Sequence, residues 1–193
     1  QERGQAREIP NQTQNKGGSQ WTRKRRRTKD LSLAEENPVA VGSKDIEKWI
    51  RQVVIKTHKA SKSPVCPFAK RTLQDRKIQI TPATPNVLAQ IDQCCNLFNV
   101  LNLDIVIFYF NEPITEKKLA SICRSSHRNN PNTAILYDHP DNDGLHKGVS
   151  FSFGKCPLIM VQDLNRLKNA QQQLRKTDYY LSWGLDPDNS MFY

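Results

Sequence analysis

Leu103-Asp104-Ile105-Val106-Ile107-Phe108-Tyr109-Phe110 is an almost unbroken run of β-branched and aromatic residues. Apart from Asp104 it lacks the polar alternation of a half-exposed strand. A strand of this composition is covered on both faces, so it belongs in the interior of a sheet. Lys77 to Thr81, upstream, alternates apolar and polar residues as a half-buried strand does. Between the two, Val87, Leu88, Ile91, Cys94 or Cys95, and Phe98 recur with helical period over Asn86–Leu101. Downstream, Thr115 caps a helix bearing Leu119, Ile122 and Cys123 that reaches about Asn129. Thr133–Tyr137 is the next strand and Asp138–Gly148 a loop. Val149–Phe153 and Pro157–Val161 are short strands, Leu164–Tyr180 is a final helix, and Leu181–Tyr193 is a tail.

Two helices precede the first strand. Ser43 is placed as an N-cap, with Asp45 and Glu47 in the first turn where the helix dipole favours acids. Ile46, Trp49, Ile50, Val53 and Val54 then follow the i, i+3, i+4, i+7, i+8 pattern to about His58. Pro67 suits the first position of a second helix, running to about Asp75. Helices and strands in this order make an α+β fold, with a mixed sheet of about four to five strands and helices packed over it. The expected core is Trp49, Val53, Phe68, Ile91, Phe98, Ile105, Ile107, Leu119, Ile135, Ile159 and Leu167.

Charge is spread unevenly. The chain of 193 residues carries 29 Lys/Arg against 19 Asp/Glu, a formal +10. Residues 1–30 account for nine of the cations and three acids, so the arm holds +6 and the rest of the chain +4. Residues 1–20, rich in Gln, Asn, Gly and Arg, have almost nothing to bury and cannot offset their own ordering entropy. The densest run is Trp21-Thr22-Arg23-Lys24-Arg25-Arg26-Arg27, followed by Lys29, with Pro38 and Gly42 punctuating a linker. The chain therefore divides into a basic flexible arm and linker at 1–43, one domain at 44–185 and a tail at 186–193. Trp21, Arg23, Lys24, Arg25, Arg26, Arg27 and Lys29 form the candidate nucleic-acid contact, pairing phosphate-binding cations with one ring on which a base can stack. The same run also suits an acidic protein surface, a localisation signal or plain solubility.

Five cysteines (Cys66, Cys94, Cys95, Cys123, Cys156) form an odd set without C-x-x-C spacing. That favours a reducing compartment, the cytoplasm. No stretch of about 18 apolar residues exists to span a membrane. Gln1-Glu2-Arg3-Gly4 opens the chain without a signal-peptide core or an initiator Met, so the sequence reads as a fragment or a processed form.

Lys48-Trp49-Ile50 with Val53-Val54, then Cys66-Pro67-Phe68-Ala69-Lys70, then Ile78-Gln79-Ile80 resembles an uncharacterised bacterial family, domain of unknown function 1415. His139-Pro140-Asp141 and Lys155-Cys156-Pro157-Leu158-Ile159-Met160 are similar to later segments of that family in the same order. The resemblance covers about residues 45–175, and Cys66-Pro67-Phe68-Ala69-Lys70 is its specific part. Met160 stands where the family usually carries a His. The resemblance implies a bacterial or phage origin, with the host cytoplasm as location in the latter case, and no established activity.

Cys66, His139 and Asp141 are the candidate catalytic residues. Cys66 precedes Pro67 at a helix N-terminus, where free N–H groups and nearby Lys70 favour a thiolate. Ala69 three residues on excludes a dithiol mechanism. The competing reading is a structural thiol capping a core helix. Asp138 to His146 gathers acids and imidazoles. His139 and Ser150 occupy the end positions where a calcium loop needs carboxylates, so that reading fails. His139, Asp141 and His146 lack a recognised zinc spacing, and Asp, Asn, Pro and Gly are also ordinary turn residues. No metal or cofactor is assigned, and no Gly-rich phosphate loop, dinucleotide fingerprint or Gly-x-Ser-x-Gly occurs. The function expected is a non-catalytic binding or assembly protein whose basic arm meets nucleic acid or another polyanion. The alternative is an enzyme using Cys66 with the Asp138–His146 loop.

Overall fold

Ile105–Tyr109 (β2) is an interior strand, as its composition requires. In a computed structural model, which describes residues 41–186, a mixed four-stranded sheet has the order β1-β2-β6-β3. β1 (Ile78–Pro82) runs parallel to β2, with Ile80 beside Ile107. β6 (Leu158–Asp163) runs antiparallel to β2 and places Met160 on the other side of Ile107. β3 (Thr133–Asp138) pairs antiparallel with β6 and completes the sheet.

Helices cover both faces. On one, Val106, Phe108, Ile159 and Val161 meet Val87, Ile91 and Phe98 of α3 (Val87–Leu101) and Leu119 and Cys123 of α4 (Glu116–Asn129). All nine are buried. Both helices carry the caps their sequences offer. The side chain of Asn86 accepts from the Ala89 N–H and that of Thr115 from the Lys118 N–H, while Asn102 closes α3 in the left-handed region at φ 51°. On the other face, Ile46 and Ile50 pack over Ile107, Leu158, Phe153 and Cys156. Here α1 (Ser43–Trp49), α2 (Pro67–Gln74) and α5 (Leu164–Leu174) flank a cleft.

Four readings of the sequence are corrected. Gly42, not Ser43, is the N-cap of α1; its N–H donates to the Asp45 carboxylate. The first helix widens into a π-helical turn over Ile50–Val54 and stops there, not at His58. Val53 and Val54 lend their carbonyls elsewhere: the His58 ring Nε2 takes the first at 2.8 Å and the Cys66 N–H the second at 3.0 Å. The Asp138–Gly148 loop contains a strand. β4 (Leu145–His146) pairs with β5 (Val149–Ser150) around Lys147 and Gly148. Both turn residues have positive φ, 48° and 73°, the pattern of a two-residue hairpin turn whose twist suits antiparallel strands. Phe151 to Phe153 therefore lie outside any strand.

The fourth correction concerns the C-terminal helix. It breaks after Leu174, where both the N–H and the hydroxyl of Thr177 capture the Leu174 carbonyl. The chain restarts as α6 (Tyr179–Trp183) and ends at Gly184 in the left-handed region. Trp183, in the stretch read as a tail, is 1% exposed. Its indole packs edge-on against Phe151, with ring centroids 5.2 Å apart, and donates to the Pro64 carbonyl at 3.1 Å.

Of the expected core, Ile91, Phe98, Ile107, Leu119 and Ile159 are buried. Trp49, Val53, Phe68, Ile105, Ile135 and Leu167 are only partly so. Trp49, Phe68, Ile105 and Leu167 all border the cleft.

Candidate functional site

Cys66 is placed by α2. Pro67 takes the first helical position, and Cys66 is the extended N-cap at φ −135°. The N–H groups of Phe68 and Ala69 face its sulfur and pull the thiol pKa down, but burial outweighs them and the net shift is upward. The residue keeps some exposed surface, yet the sulfur is packed among protein atoms, so a thiolate there loses more hydration than two N–H groups return. Tyr179, its titratable neighbour, is likewise raised by burial, and its hydroxyl donates to the Val65 carbonyl. Among the described residues no basic side chain acts on the thiol. Cys66 thus caps α2, and burial works against the thiolate expected from the helix N-terminus.

His139 is buried at 6% exposure. Its Nε2 lies 2.8 Å from the Ile114 carbonyl, and its Nδ1 accepts the Asp141 N–H at 3.2 Å. Those two partners require Nε2–H and a bare Nδ1, so both nitrogens are committed to holding the loop against the segment before α4. The Asp141 carboxylate stands 3.5 Å from Nδ1 and is largely exposed. Asp138 ties down the far side of the loop. It accepts the Phe153 N–H at 2.7 Å, and burial raises its pKa against that hydrogen bond. The His146 Nε2 reaches the Trp183 carbonyl at 2.7 Å. Gly144, at φ 54°, sits so close to Ser152 that a Cβ there would be 2.9 Å from the Ser152 nitrogen. The polar residues of this loop are thus spent on its own geometry. Among the described residues no group of three or more His, Cys, Asp or Glu is disposed to hold a metal ion.

Cys66 and part of the loop nevertheless border one cleft, of about 820 Å³. Asp138, Asn142 and Gly144 line it with Cys66, whereas His139 and Asp141 do not. Ile105, Ile107, Met160 and Leu136 form its floor, with Phe68 of α2 on one wall and Leu167 and Ala170 of α5 on the other. One end carries an ion pair, Arg166 Nη1 to Asp104 Oδ1 at 2.5 Å, to which the Thr72 hydroxyl adds a 3.4 Å contact. The other end holds Asp138 and Ser152. This is a size suited to a small molecule and a largely apolar lining. Nothing in local periodicity marked it, because it depends on the gap left between α2 and α5.

Trp21, Arg23, Lys24, Arg25, Arg26, Arg27 and Lys29 lie outside the described residues. Comparisons with protein-family models, with curated proteins and with solved structures find no match to this chain. No described helix is long and apolar enough to cross a membrane.

Proposed function

We propose that the chain is a non-catalytic binding or assembly protein that takes hold of nucleic acid through residues 21–29. The observation that carries this reading is the concentration of cations in the arm, nine Lys/Arg against three acids in residues 1–30. A protein that neutralises phosphates releases condensed counterions, so affinity falls steeply with salt. The resemblance to domain of unknown function 1415 brings no activity with it; the bacterial or phage source in this proposal rests on that resemblance, and the cytoplasm on the odd cysteine set.

The test is salt titration of binding to duplex and single-stranded DNA. If residues 21–29 neutralise about five phosphates, they contribute roughly −4.5 to the slope of log affinity against log salt on duplex, at about −0.9 per phosphate. Deleting residues 1–30 removes binding at physiological salt and leaves the melting temperature of the fold unchanged. Trp21→Ala weakens single-strand binding more than duplex binding, since only unpaired bases expose a face for stacking. Equal binding by the full and shortened chains sinks the proposal.

The shared border of Cys66 and the Asp138 loop on one cleft favours a second reading, a small-molecule site. In this reading His139 does not line the cleft, its Nε2 being turned to the Ile114 carbonyl. Labelling of Cys66 that a cleft-filling Ala170→Trp substitution fails to slow would count against the cleft as the route to the thiol.

A further inference from the structure

The arm is not the chain's only concentration of positive charge. Between residues 41 and 186 there are 20 Lys/Arg and 13 Asp/Glu, a net +7. Residues 51–77 contain eight of those cations and a single acid, Asp75, while the other described residues balance at 12 of each. The whole excess of the fold therefore sits in one segment, from the π-helical turn through the following loop and α2 to the start of β1.

The fold brings part of this segment, residues 60–67, against residues 174–182 around a pocket of about 640 Å³. Lys62 and Pro67 line one side, Thr177, Tyr179 and Ser182 the other. Lys70 lies three residues after Pro67, on the same helix face. Lys176 adjoins Thr177, and Lys147 reaches across from the β4–β5 turn to place its Nζ 2.9 Å from the Ser182 carbonyl. Lys59, Lys62, Lys70 and Lys176 are exposed, and none enters an ion pair among the described residues. Asp178 is the acid on the pocket wall.

The loop that presents Lys59 and Lys62 is firmly held. The Lys62 N–H donates to the His58 carbonyl at 2.7 Å and the His58 N–H to the Ser63 carbonyl at 3.2 Å. Ser61, 3% exposed, donates to the Ser63 carbonyl at 2.9 Å. A backbone fixed in advance keeps the ordering cost of binding low. Compact ammonium groups act as point charges toward phosphate oxygens and demand no paired geometry.

We propose that this lysine collar is a second nucleic-acid contact, borne by the fold itself, in which Lys59, Lys62, Lys70 and Lys176 engage phosphates of the strand that the arm holds. The inference rests on the reading of the arm as a nucleic-acid contact, and it adds a site that the arm does not contain.

The experiment compares five chains by fluorescence anisotropy on one labelled DNA across a salt series. They are the full chain, the chain lacking residues 1–30, a collar variant (Lys59→Gln, Lys62→Gln, Lys70→Gln, Lys176→Gln), the deletion combined with the collar substitutions, and a control variant with the same loss of charge on α4 (Lys117→Gln, Lys118→Gln, Arg124→Gln, Arg128→Gln). The collar variant loses up to about 3.6 from the steepness of the salt slope, at roughly 0.9 per phosphate, and binds at least tenfold more weakly. The control keeps the slope of the full chain. The chain lacking residues 1–30 still binds at low salt, and adding the collar substitutions removes that residue of binding. A collar variant with the full chain's slope overturns the proposal, as does a control that loses as much. Competition by polyglutamate as effective as by DNA of equal charge overturns it in favour of an acidic protein. The arm reading fails separately, if deletion of residues 1–30 changes nothing while the collar variant still loses binding. All eight substituted side chains are exposed, so unchanged melting curves verify that the variants are folded.

Discussion

Replacing Trp183 with Ala removes the largest fully buried side chain of the described fold. The indole is 1% exposed, meets Phe151 at 5.2 Å, His58 at 6.0 Å and His146 at 6.1 Å between ring centroids, and donates to the Pro64 carbonyl. Truncating a buried aromatic to Ala costs about 3–5 kcal/mol, since the neighbours collapse only partly into the space left. Of this, about 1 kcal/mol belongs to the hydrogen bond, with the Pro64 oxygen left to find water. Trp183→Phe keeps the ring and loses the donor, so it separates the two contributions and should cost about 1–2 kcal/mol. At about 2–4 °C per kcal/mol for a chain of this size, Trp183→Ala should lower the melting temperature by roughly 6–20 °C. Urea unfolding followed by far-ultraviolet circular dichroism measures both variants without relying on tryptophan emission. A loss under about 1 kcal/mol for Trp183→Ala would mean that α6 is not part of the folded core.

Other outcomes follow from the two unequal sheet faces and from the buried thiols. Phe98→Ala and Ile107→Ala should each cost about 2–5 kcal/mol, while Leu167→Ala on the cleft wall should cost visibly less, because its site is already half open; equal losses in denaturant titrations would contradict the cleft. Gly144→Ala should destabilise by about 1–3 kcal/mol, from the strain of a side chain at φ 54° and the contact with Ser152, and an unchanged melting temperature would refute the close approach. Alkylation of Cys66 in the folded chain should rise only above about pH 8.5, the ordinary thiol value, because burial pushes it up; a midpoint below pH 8 would restore the thiolate. Burial also pushes Cys94 and Cys123 up to about 12 and Cys156 up to about 11. The unfolded chain gives up these protons near the ordinary thiol pKa while the folded chain keeps them, so stability is full below about pH 8.5 and declines as pH climbs toward 11–12. Urea midpoints that hold steady from pH 8.5 to 10.5 would show the thiols to be hydrated.

The elements legible in the sequence were those with long, clean periods. Val87, Ile91 and Phe98 stood on one helical face, Leu119 and Cys123 on another, and Ile105–Tyr109 declared an interior strand; each is where that pattern puts it. α6 was not legible, since five residues make little more than one turn and hold no period. The partners of the Trp183 indole, Pro64 and Phe151 among them, lie 119 and 32 positions earlier in the chain. Cys66 was correctly placed at a helix N-terminus, but the density of atoms around its sulfur is a tertiary property, and it reverses the sign of the shift. The collar is diluted in the net charge of the chain. Residues 51–77 carry eight cations and one acid, but Glu35, Glu36 and Asp188 bring the net charge of residues 31–193 down to +4.

The strand order has a consequence for how the chain reaches this state. β1 and β2 lie close in sequence and can pair as soon as α3 has formed. β3 is made next, yet its one neighbour in the finished sheet is absent at that moment: it pairs only with β6, and so does the open edge of β2. β6 is thus a keystone, inserted between two strands already synthesised and about fifty residues beyond β2 along the chain. Contacts of such separation are slow to find. Until they form, the β2 edge and the whole of β3 present unpaired backbone to any other chain nearby. Substitutions that weaken Leu158–Asp163 should therefore register first as loss of yield during expression, ahead of any loss in the stability of the protein that does fold.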